Sequence, residues 1–95
     1  MATQLIITFT AREDRVAAFN EVLAQIKLNL PKASGCRGVR IFRSESNPLV
    51  FTLVETWASA AEHKKYVDGF VASGGWAQIA RQLSCDPVSG YYSEI

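Results

Sequence analysis

Two side chains near the middle of the chain have the chemistry to move protons near neutral pH, the carboxyl of Glu55 and the imidazole of His63. Glu55 lies in the stretch PLVFTLVETW, where period-2 geometry places it between Leu53 and Trp57 on one face of a predicted strand. A carboxylate among apolar side chains requires either a partner or a function. His63 is the only histidine, and an ordinary imidazole titrates where such proton transfer is needed.

Each of these residues also has a purely structural interpretation. Glu55 could pair with Arg40 or Arg43 on the neighbouring strand, or with backbone donors at the start of a helix. A lone histidine on an apolar helix face is more often a half-buried packing residue than a catalytic one. Core packing is likewise the default for the aromatic residues that could form an apolar pocket wall: Trp57, Phe70 and Trp76.

Other kinds of site find little support in the sequence. A single histidine without clustered acids or cysteines provides too few ligands for a metal ion. The Gly74-Gly75 pair lies between predicted helices rather than in a phosphate-binding loop after a strand. Nothing in the spacing brings Cys36 or Cys85 to His63 as a nucleophile pair. We therefore expect no metal and no bound phosphate.

The composition is that of an ordinary globular protein, and 95 residues predict a single domain covering positions 1–95. A net charge of +1 with dispersed Lys and Arg gives no indication of nucleic-acid binding. No apolar run approaches the roughly 20 residues that span a bilayer, and the first residues lack the features of a signal peptide. The two cysteines favour free thiols in a reducing cytoplasm.

Hydrophobic periodicity predicts the elements that position the candidate residues. Strands are expected at residues 4–10, 36–44, 48–57 and 88–94. Residues 48–57 are apolar on both faces, so this strand is expected to be covered on both sides. A first helix is expected from a capping box at residues 10–13 to Pro31, a second from a capping box at residues 59–62 to Ser73, and a short third helix around residues 76–83.

The resulting order, β-α-β-β-α-β, is that of an α+β ferredoxin-like fold, a four-stranded antiparallel sheet with helices on one face. The predicted first, third and fourth strands carry apolar or aromatic residues on both faces. A monomer would therefore expose a large apolar patch, which is uncommon. We expect a homodimer in which two sheets meet through the open face, leaving a cavity between sheet and helices in each subunit.

The run Phe51-Thr52-Leu53-Val54-Glu55-Thr56-Trp57 resembles the third strand of the antibiotic biosynthesis monooxygenase family. Gly35 at the start of the second strand and the capped amphipathic helix after Trp57 extend the resemblance over nearly the whole chain. The resemblance implies a dimeric α+β barrel. The family includes cofactor-free quinol and anthrone-type monooxygenases, haem-degrading enzymes and an isomerase of phosphorylated sugars.

The resemblance also implies a site. Many members carry a histidine nine residues after the tryptophan of the third strand, on the helix face toward the cavity; here that position is Tyr66, and His63 lies one turn earlier. The implied function is a cytoplasmic monooxygenase without cofactor, acting on a small aromatic or quinol-like compound. The catalytic candidates are Glu55, His63 and Tyr66, and the substrate-binding candidates are Phe51, Trp57, Phe70 and Trp76.

Two other interpretations remain open at this point. The chain could be a non-catalytic dimeric module that binds a small hydrophobic ligand or belongs to a larger assembly, which the presence of Tyr66 instead of the usual histidine favours. It could also be an isomerase on the same fold, since an acid–base pair in a closed pocket suits proton shuttling.

Overall fold

A computed structural model describes residues 2–95 of the chain. Its strands are β1 (Thr3–Thr10), β2 (Cys36–Arg43), β3 (Val50–Trp57) and β4 (Val88–Tyr92). Its helices are α1 (Val16–Asn29), α2 (Ala60–Ala72) and α3 (Gly75–Ala80), with 3₁₀ turns at Glu13–Arg15 and Leu30–Lys32. Among the described residues, no helix has the length and apolarity needed to cross a membrane. The predicted order of strands and helices is confirmed.

The strands form one antiparallel sheet in the order β2-β3-β1-β4. With helices packed on one face, this is the predicted ferredoxin-like fold. In the register of the sheet, Glu55 of β3 lies opposite Val39 of β2 and Leu5 of β1, and Leu5 also lies opposite Tyr91 of β4. Residues directly opposite each other share a face. Glu55 and Tyr91 therefore project from the same side of the sheet, two strands apart.

Alternate residues of β3 form the floor of the core beneath the helices. Phe51, Leu53, Glu55 and Trp57 are buried, whereas the residues between them are only half-buried. The apolar side of α1 covers this face, and its Phe19 packs edge to face against Phe51 with 5.3 Å between ring centroids. The site-bearing strand is therefore hydrogen-bonded on both sides and packed from above, which gives it little freedom to move.

The capping box predicted at residues 10–13 is wrong. Thr10 belongs to β1, where it lies opposite Val50, and its carbonyl accepts a hydrogen bond of 2.9 Å from the backbone of Ser84. The first helical turn instead begins at Glu13 after Arg12, with no side-chain cap. The main chain of Thr10 is held in the sheet, so its hydroxyl cannot sit at a helix start.

The start of α2 is fixed from two directions. The hydroxyl of Ser59 accepts a hydrogen bond of 3.2 Å from the backbone of Glu62, as the second predicted capping box requires. Gly35 packs directly against this turn: its φ is +84°, and a Cβ there would lie 2.7 Å from the Cβ of Glu62. Only glycine accommodates both the left-handed backbone and this close approach.

No helix covers the opposite face of the sheet within residues 2–95. Its outer side chains include Phe42, Val88 and Tyr92, all of them exposed, and the outward residues of β3 are half-buried. The prediction that β3 is covered on both sides therefore holds for one face only in the described chain. The helices α1, α2 and α3 lie on one side of the sheet, and none remains in residues 2–95 for the other side.

Candidate active site

A cavity of about 310 Å³ lies between the helix-covered face of the sheet and the helices. This volume is at the lower end of the range typical of small-molecule sites. The lining is apolar except for the carboxyl of Glu55, the phenol of Tyr66 and the hydroxyl of Ser89. The apolar lining residues are Ile7, Phe9, Ile26, Leu30, Leu53, Val67, Phe70, Val71, Trp76, Ile79 and Pro87.

Glu55 enters this cavity without a cationic partner. Its Oε1 accepts a hydrogen bond of 2.9 Å from the indole Nε1 of Trp57, and the residue is 7% exposed. Among the described residues, no lysine or arginine lies within ion-pair distance of it. Arg43 instead donates to the side chain of Asn20 at 3.1 Å, and Arg40 lies against the ring of Phe42 on the outer face. The pairing of Glu55 with either arginine is therefore not formed.

The environment of Glu55 changes its acidity. Burial disfavours the charged carboxylate and raises the pKa of Glu55 above its ordinary value, and the hydrogen bond from Trp57 partly opposes this rise. A carboxyl whose pKa moves toward neutrality exchanges protons more effectively in general acid–base catalysis than an ordinary glutamate does. The geometry therefore gives Glu55 a proton-transfer capacity that an arginine pair would have removed.

Tyr66 of α2 lines the same cavity as Glu55. Its ring stacks on that of Phe70, with 5.8 Å between centroids and 17° between planes, and lies 5.5 Å from the ring of Trp57. Burial raises the pKa of Tyr66, and electrostatic repulsion from the ionised forms of Glu55 and Cys36 raises it further. The phenol therefore stays protonated near neutral pH, and its O–H can donate a hydrogen bond to an oxygen in the cavity.

His63 lies behind the cavity wall rather than in it. Its Nδ1 is 2.7 Å from the hydroxyl of Tyr91, and its Nε2 is 4.0 Å from Oε1 of Glu55. The second distance is within reach of an ion pair, but burial lowers the pKa of His63 and favours the neutral imidazole. The contact with Glu55 is therefore one between a carboxyl and an uncharged imidazole. The imidazole ring also packs edge to face against the ring of Trp57.

Comparison with known protein families decides the assignment of the chain. Residues 4–69 match the family described as Antibiotic biosynthesis monooxygenase. This range is more than half of the chain and contains Glu55, His63 and Tyr66. The chain belongs to this family. The resemblance inferred from its third strand is therefore confirmed, whereas no curated protein matches the sequence significantly.

Solved structures of the same shape extend the comparison beyond residue 69. A conserved protein from Methanosarcina mazei Go1 is 14% identical, with a TM-score of 0.87 over 100% of this chain and 94% of its own. Rv0793 from Mycobacterium tuberculosis is 17% identical, with a TM-score of 0.86 over 100% and 96%. A variant of SnoaB, a cofactor-independent oxygenase from Streptomyces nogalater, is 13% identical, with a TM-score of 0.82 over 98% and 92%. These likenesses show the antibiotic biosynthesis monooxygenase fold.

The aromatic residues proposed as substrate contacts divide into two pairs in this family member. Phe70 and Trp76 line the cavity, as the sequence-based interpretation expects. Phe51 and Trp57 do not line it. Both are buried on the same face of β3, on either side of Leu53 and Glu55, and Trp57 contacts two lining residues, Glu55 through its hydrogen bond and Tyr66 through ring packing. The structure therefore places Phe70 and Trp76, but not Phe51 and Trp57, at the cavity, and substrate binding by any of the four stays a prediction.

Two polar residues of β4 complete the region and were not selected from the sequence. Ser89 lines the cavity, and Tyr91 holds His63. Because side chains alternate along a strand, only one of Tyr91 and Tyr92 can face the helices, and the pairing of Tyr91 with Leu5 shows that it is Tyr91. Pairing of the fourth strand with the first would have been the signal needed to make this choice.

The described residues contain no group of three His, Cys, Asp or Glu side chains placed to hold a metal ion. Cys36 and Cys85 are free thiols. The Sγ of Cys36 lies 3.7 Å from the carbonyl of Gly38, and burial raises its pKa, so this thiol stays protonated and is a weak ligand and nucleophile. That the protein works without a cofactor stays a prediction.

Proposed function

We propose that this member of the antibiotic biosynthesis monooxygenase family is a cofactor-independent monooxygenase that oxidises a small aromatic or quinol-like compound. The observation that carries the proposal is the buried carboxyl of Glu55, which lines an apolar cavity of about 310 Å³ and has no cationic partner among the described residues. The cofactor-independent oxygenase SnoaB, which shares the fold, supports it.

The cavity suits a flat compound with an oxygen at one end. Phe70 and Trp76 offer ring faces and edges to an aromatic substrate. Glu55 and Tyr66 are the polar groups toward which the substrate oxygen would turn, and the burial of Glu55 limits competition from bulk water for its carboxyl. Tyr66 donates its O–H to the substrate oxygen, while Glu55 accepts a proton from the substrate.

The reaction balances without a metal or flavin. The Glu55 carboxylate removes a proton from an activated C–H or O–H of the substrate, so that one negative charge passes from Glu55 to the conjugated anion. This anion reduces dioxygen and forms a C–O bond, which gives a hydroperoxide once Glu55 returns its proton. Loss of water then leaves a carbonyl, so a CH₂ group and O₂ become C=O and H₂O. Dioxygen is the only oxidant.

The test is oxygen uptake with a panel of anthrones and dihydroxynaphthalenes. Uptake by the wild type is expected to fall roughly 100- to 10,000-fold in Glu55→Gln, the usual contribution of a general base, and to fall in Tyr66→Phe. Glu45→Gln, an exposed carboxyl in the β2–β3 connection, and Tyr92→Phe on the outer face serve as matched controls. Binding without uptake would instead identify a ligand-binding module, and product formed without oxygen an isomerase.

A homodimer through the open sheet face belongs to this proposal. Phe42, Val88 and Tyr92 are exposed there, and the half-buried Ile6 and Val54 lie opposite each other at its centre. A second copy placed face to face on this surface would remove these apolar side chains from water. Such pairing would form the dimeric barrel that the family resemblance implies. A cytoplasmic location stays a prediction made from the cysteines.

A further inference from the structure

A line of three polar side chains leads from the cavity to the surface. It begins at the carboxyl of Glu55, which is 7% exposed, passes the half-buried ring of His63, and ends at the hydroxyl of Tyr91, which is 41% exposed. The separations are 4.0 Å from Oε1 of Glu55 to Nε2 of His63 and 2.7 Å from Nδ1 of His63 to the hydroxyl of Tyr91. Tyr91 lies beyond residues 4–69, so the family match says nothing of it.

The two nitrogens of a neutral imidazole have opposite roles, which links the ends of this line. When Nδ1 accepts the Tyr91 O–H, Nε2 carries the proton and points it at Glu55, an arrangement that suits an ionised carboxylate. When Nδ1–H donates to the Tyr91 oxygen, the bare Nε2 faces Glu55, which suits a protonated carboxyl. The hydrogen bond to Tyr91 thus makes the tautomer of His63 depend on the proton of Glu55.

We propose that Glu55, His63 and Tyr91 form a proton path between the cavity and solvent, in which His63 changes tautomer and Tyr91 is the positioning residue. The carboxyl of Glu55 gives its proton to Nε2, Nδ1 gives its proton to the Tyr91 oxygen, and the former Tyr91 proton passes to water. One proton leaves the site and no charge stays on the ring. The inference rests on the proposed function, because a buried Glu55 must lose its proton before it can act as a base.

The gap between Glu55 and His63 has to close for this transfer, since a hydrogen bond requires about 2.7–3.2 Å. A shift of roughly 1 Å in the position of the His63 ring is sufficient, and this ring is only half-buried. The groups that face His63 are Glu55 from β3 and Tyr91 from β4. On the helix of His63 itself, Lys64 lies over the Tyr91 ring, with its Nζ 6.0 Å from the ring centroid.

The test uses NMR of the ring nitrogens of His63, whose signals are unambiguous because the chain has one histidine. As the pH is lowered through the titration of Glu55, we expect the wild-type ring to stay neutral and to change from the Nε2–H to the Nδ1–H tautomer. Glu55→Gln removes the titrating group and Tyr91→Phe removes the partner of Nδ1, so each variant should keep a single neutral tautomer over the same range. Tyr92→Phe, on the outer face, should behave as the wild type.

Two results would overturn the proposal: a single wild-type tautomer throughout, or protonation of His63 to imidazolium before Glu55 titrates. The wild type and Glu55→Gln decide the question even if Tyr91→Phe does not fold. Because NMR needs no substrate, a tautomer change without oxygen uptake would support the path and refute the monooxygenase. Oxygen uptake without a tautomer change would support the monooxygenase and refute the proton path.

Discussion

The indole N–H of Trp57 donates a hydrogen bond of 2.9 Å to the Oε1 of Glu55, two residues earlier on the same face of β3. This bond orients the carboxyl without supplying a positive charge. Trp57 is fully buried and packs against the rings of His63 and Tyr66. Trp57 therefore orients the Glu55 carboxyl and packs against His63 and Tyr66, although it does not line the cavity.

Trp57→Phe should make Glu55 a weaker acid. The hydrogen bond from Trp57 lowers the pKa of Glu55, so its loss should raise that pKa further and move the rising limb of oxygen uptake to higher pH. Loss of the indole from a filled core should also reduce the unfolding free energy by about 1–3 kcal/mol. Trp76→Phe is the matched control because Trp76 lines the cavity without bonding Glu55. Equal pH profiles for both variants would refute the assignment.

Glu55→Gln should stabilise the protein in a pH-dependent way. The pKa of Glu55 is raised from 4.5 by folding, so as the pH rises the unfolded chain ionises first and the wild type loses stability until the folded carboxyl also ionises. An amide does not ionise. The advantage of Glu55→Gln over the wild type should therefore grow from pH 4.5 upward, by about 1.4 kcal/mol for each pKa unit separating folded from unfolded chain. Urea unfolding of both proteins at acidic and at neutral pH measures this difference in unfolding free energy. A difference that does not change with pH would contradict the raised pKa of Glu55.

Gly75→Ala should impair ligand binding through Phe70. A Cβ on Gly75 would lie 2.5 Å from Cε1 of Phe70, so the ring must move, and that ring is part of the cavity wall. We expect the affinity for a naphthol to fall about tenfold, or about 1.4 kcal/mol. Gly69→Ala in α2 is the control, because its Cβ would meet no atom within 4 Å; it should bind normally and gain up to about 1 kcal/mol of stability. Titration calorimetry measures both affinities, and equal affinities for Gly75→Ala and the wild type would contradict the prediction.

Val54→Lys should dissociate the proposed dimer. Val54 lies at the centre of the open sheet face, so a lysine there would place a charge in the interface without entering the core of the subunit. We expect the association constant to fall roughly a hundredfold, the effect of burying one unpaired charge. Light scattering after gel filtration measures the change. Leu28→Lys, on the exposed side of α1, should remain dimeric; a monomeric wild type would contradict the proposed dimer.

The strands of the sheet were predictable because the two-residue alternation of side chains along a strand is visible in a single sequence. The alternation around Glu55 correctly predicted that Leu53 and Trp57 share its face, and the structure buries all three. The helix start at Thr10 was not predictable in the same way. A capping box describes residues that are close in sequence, whereas the backbone of Thr10 is held by residues 40 or more positions away.

The site itself was predictable only in part. The spacing of three correctly places His63 and Tyr66 on one side of α2, yet only Tyr66 reaches the cavity, because helix docking decides which neighbour projects inward. The hydrogen bond from His63 to Tyr91 joins residues 28 positions apart on a helix and a strand. The pattern of neighbouring residues in the sequence carries no information on such a distant pair. For the same reason, the sequence could not decide whether Glu55 pairs with an arginine.

The most direct test of the central claim is the fate of molecular oxygen in the reaction. Metal-free protein with no flavin absorbance is mixed with an anthrone or dihydroxynaphthalene under oxygen-18 gas, and the product is examined by mass spectrometry within seconds, before its carbonyl exchanges with water. The proposed chemistry predicts one labelled oxygen atom in each product molecule and one in water, with formation almost abolished in Glu55→Gln. Product carrying only unlabelled oxygen, or formed equally well by Glu55→Gln, would contradict it.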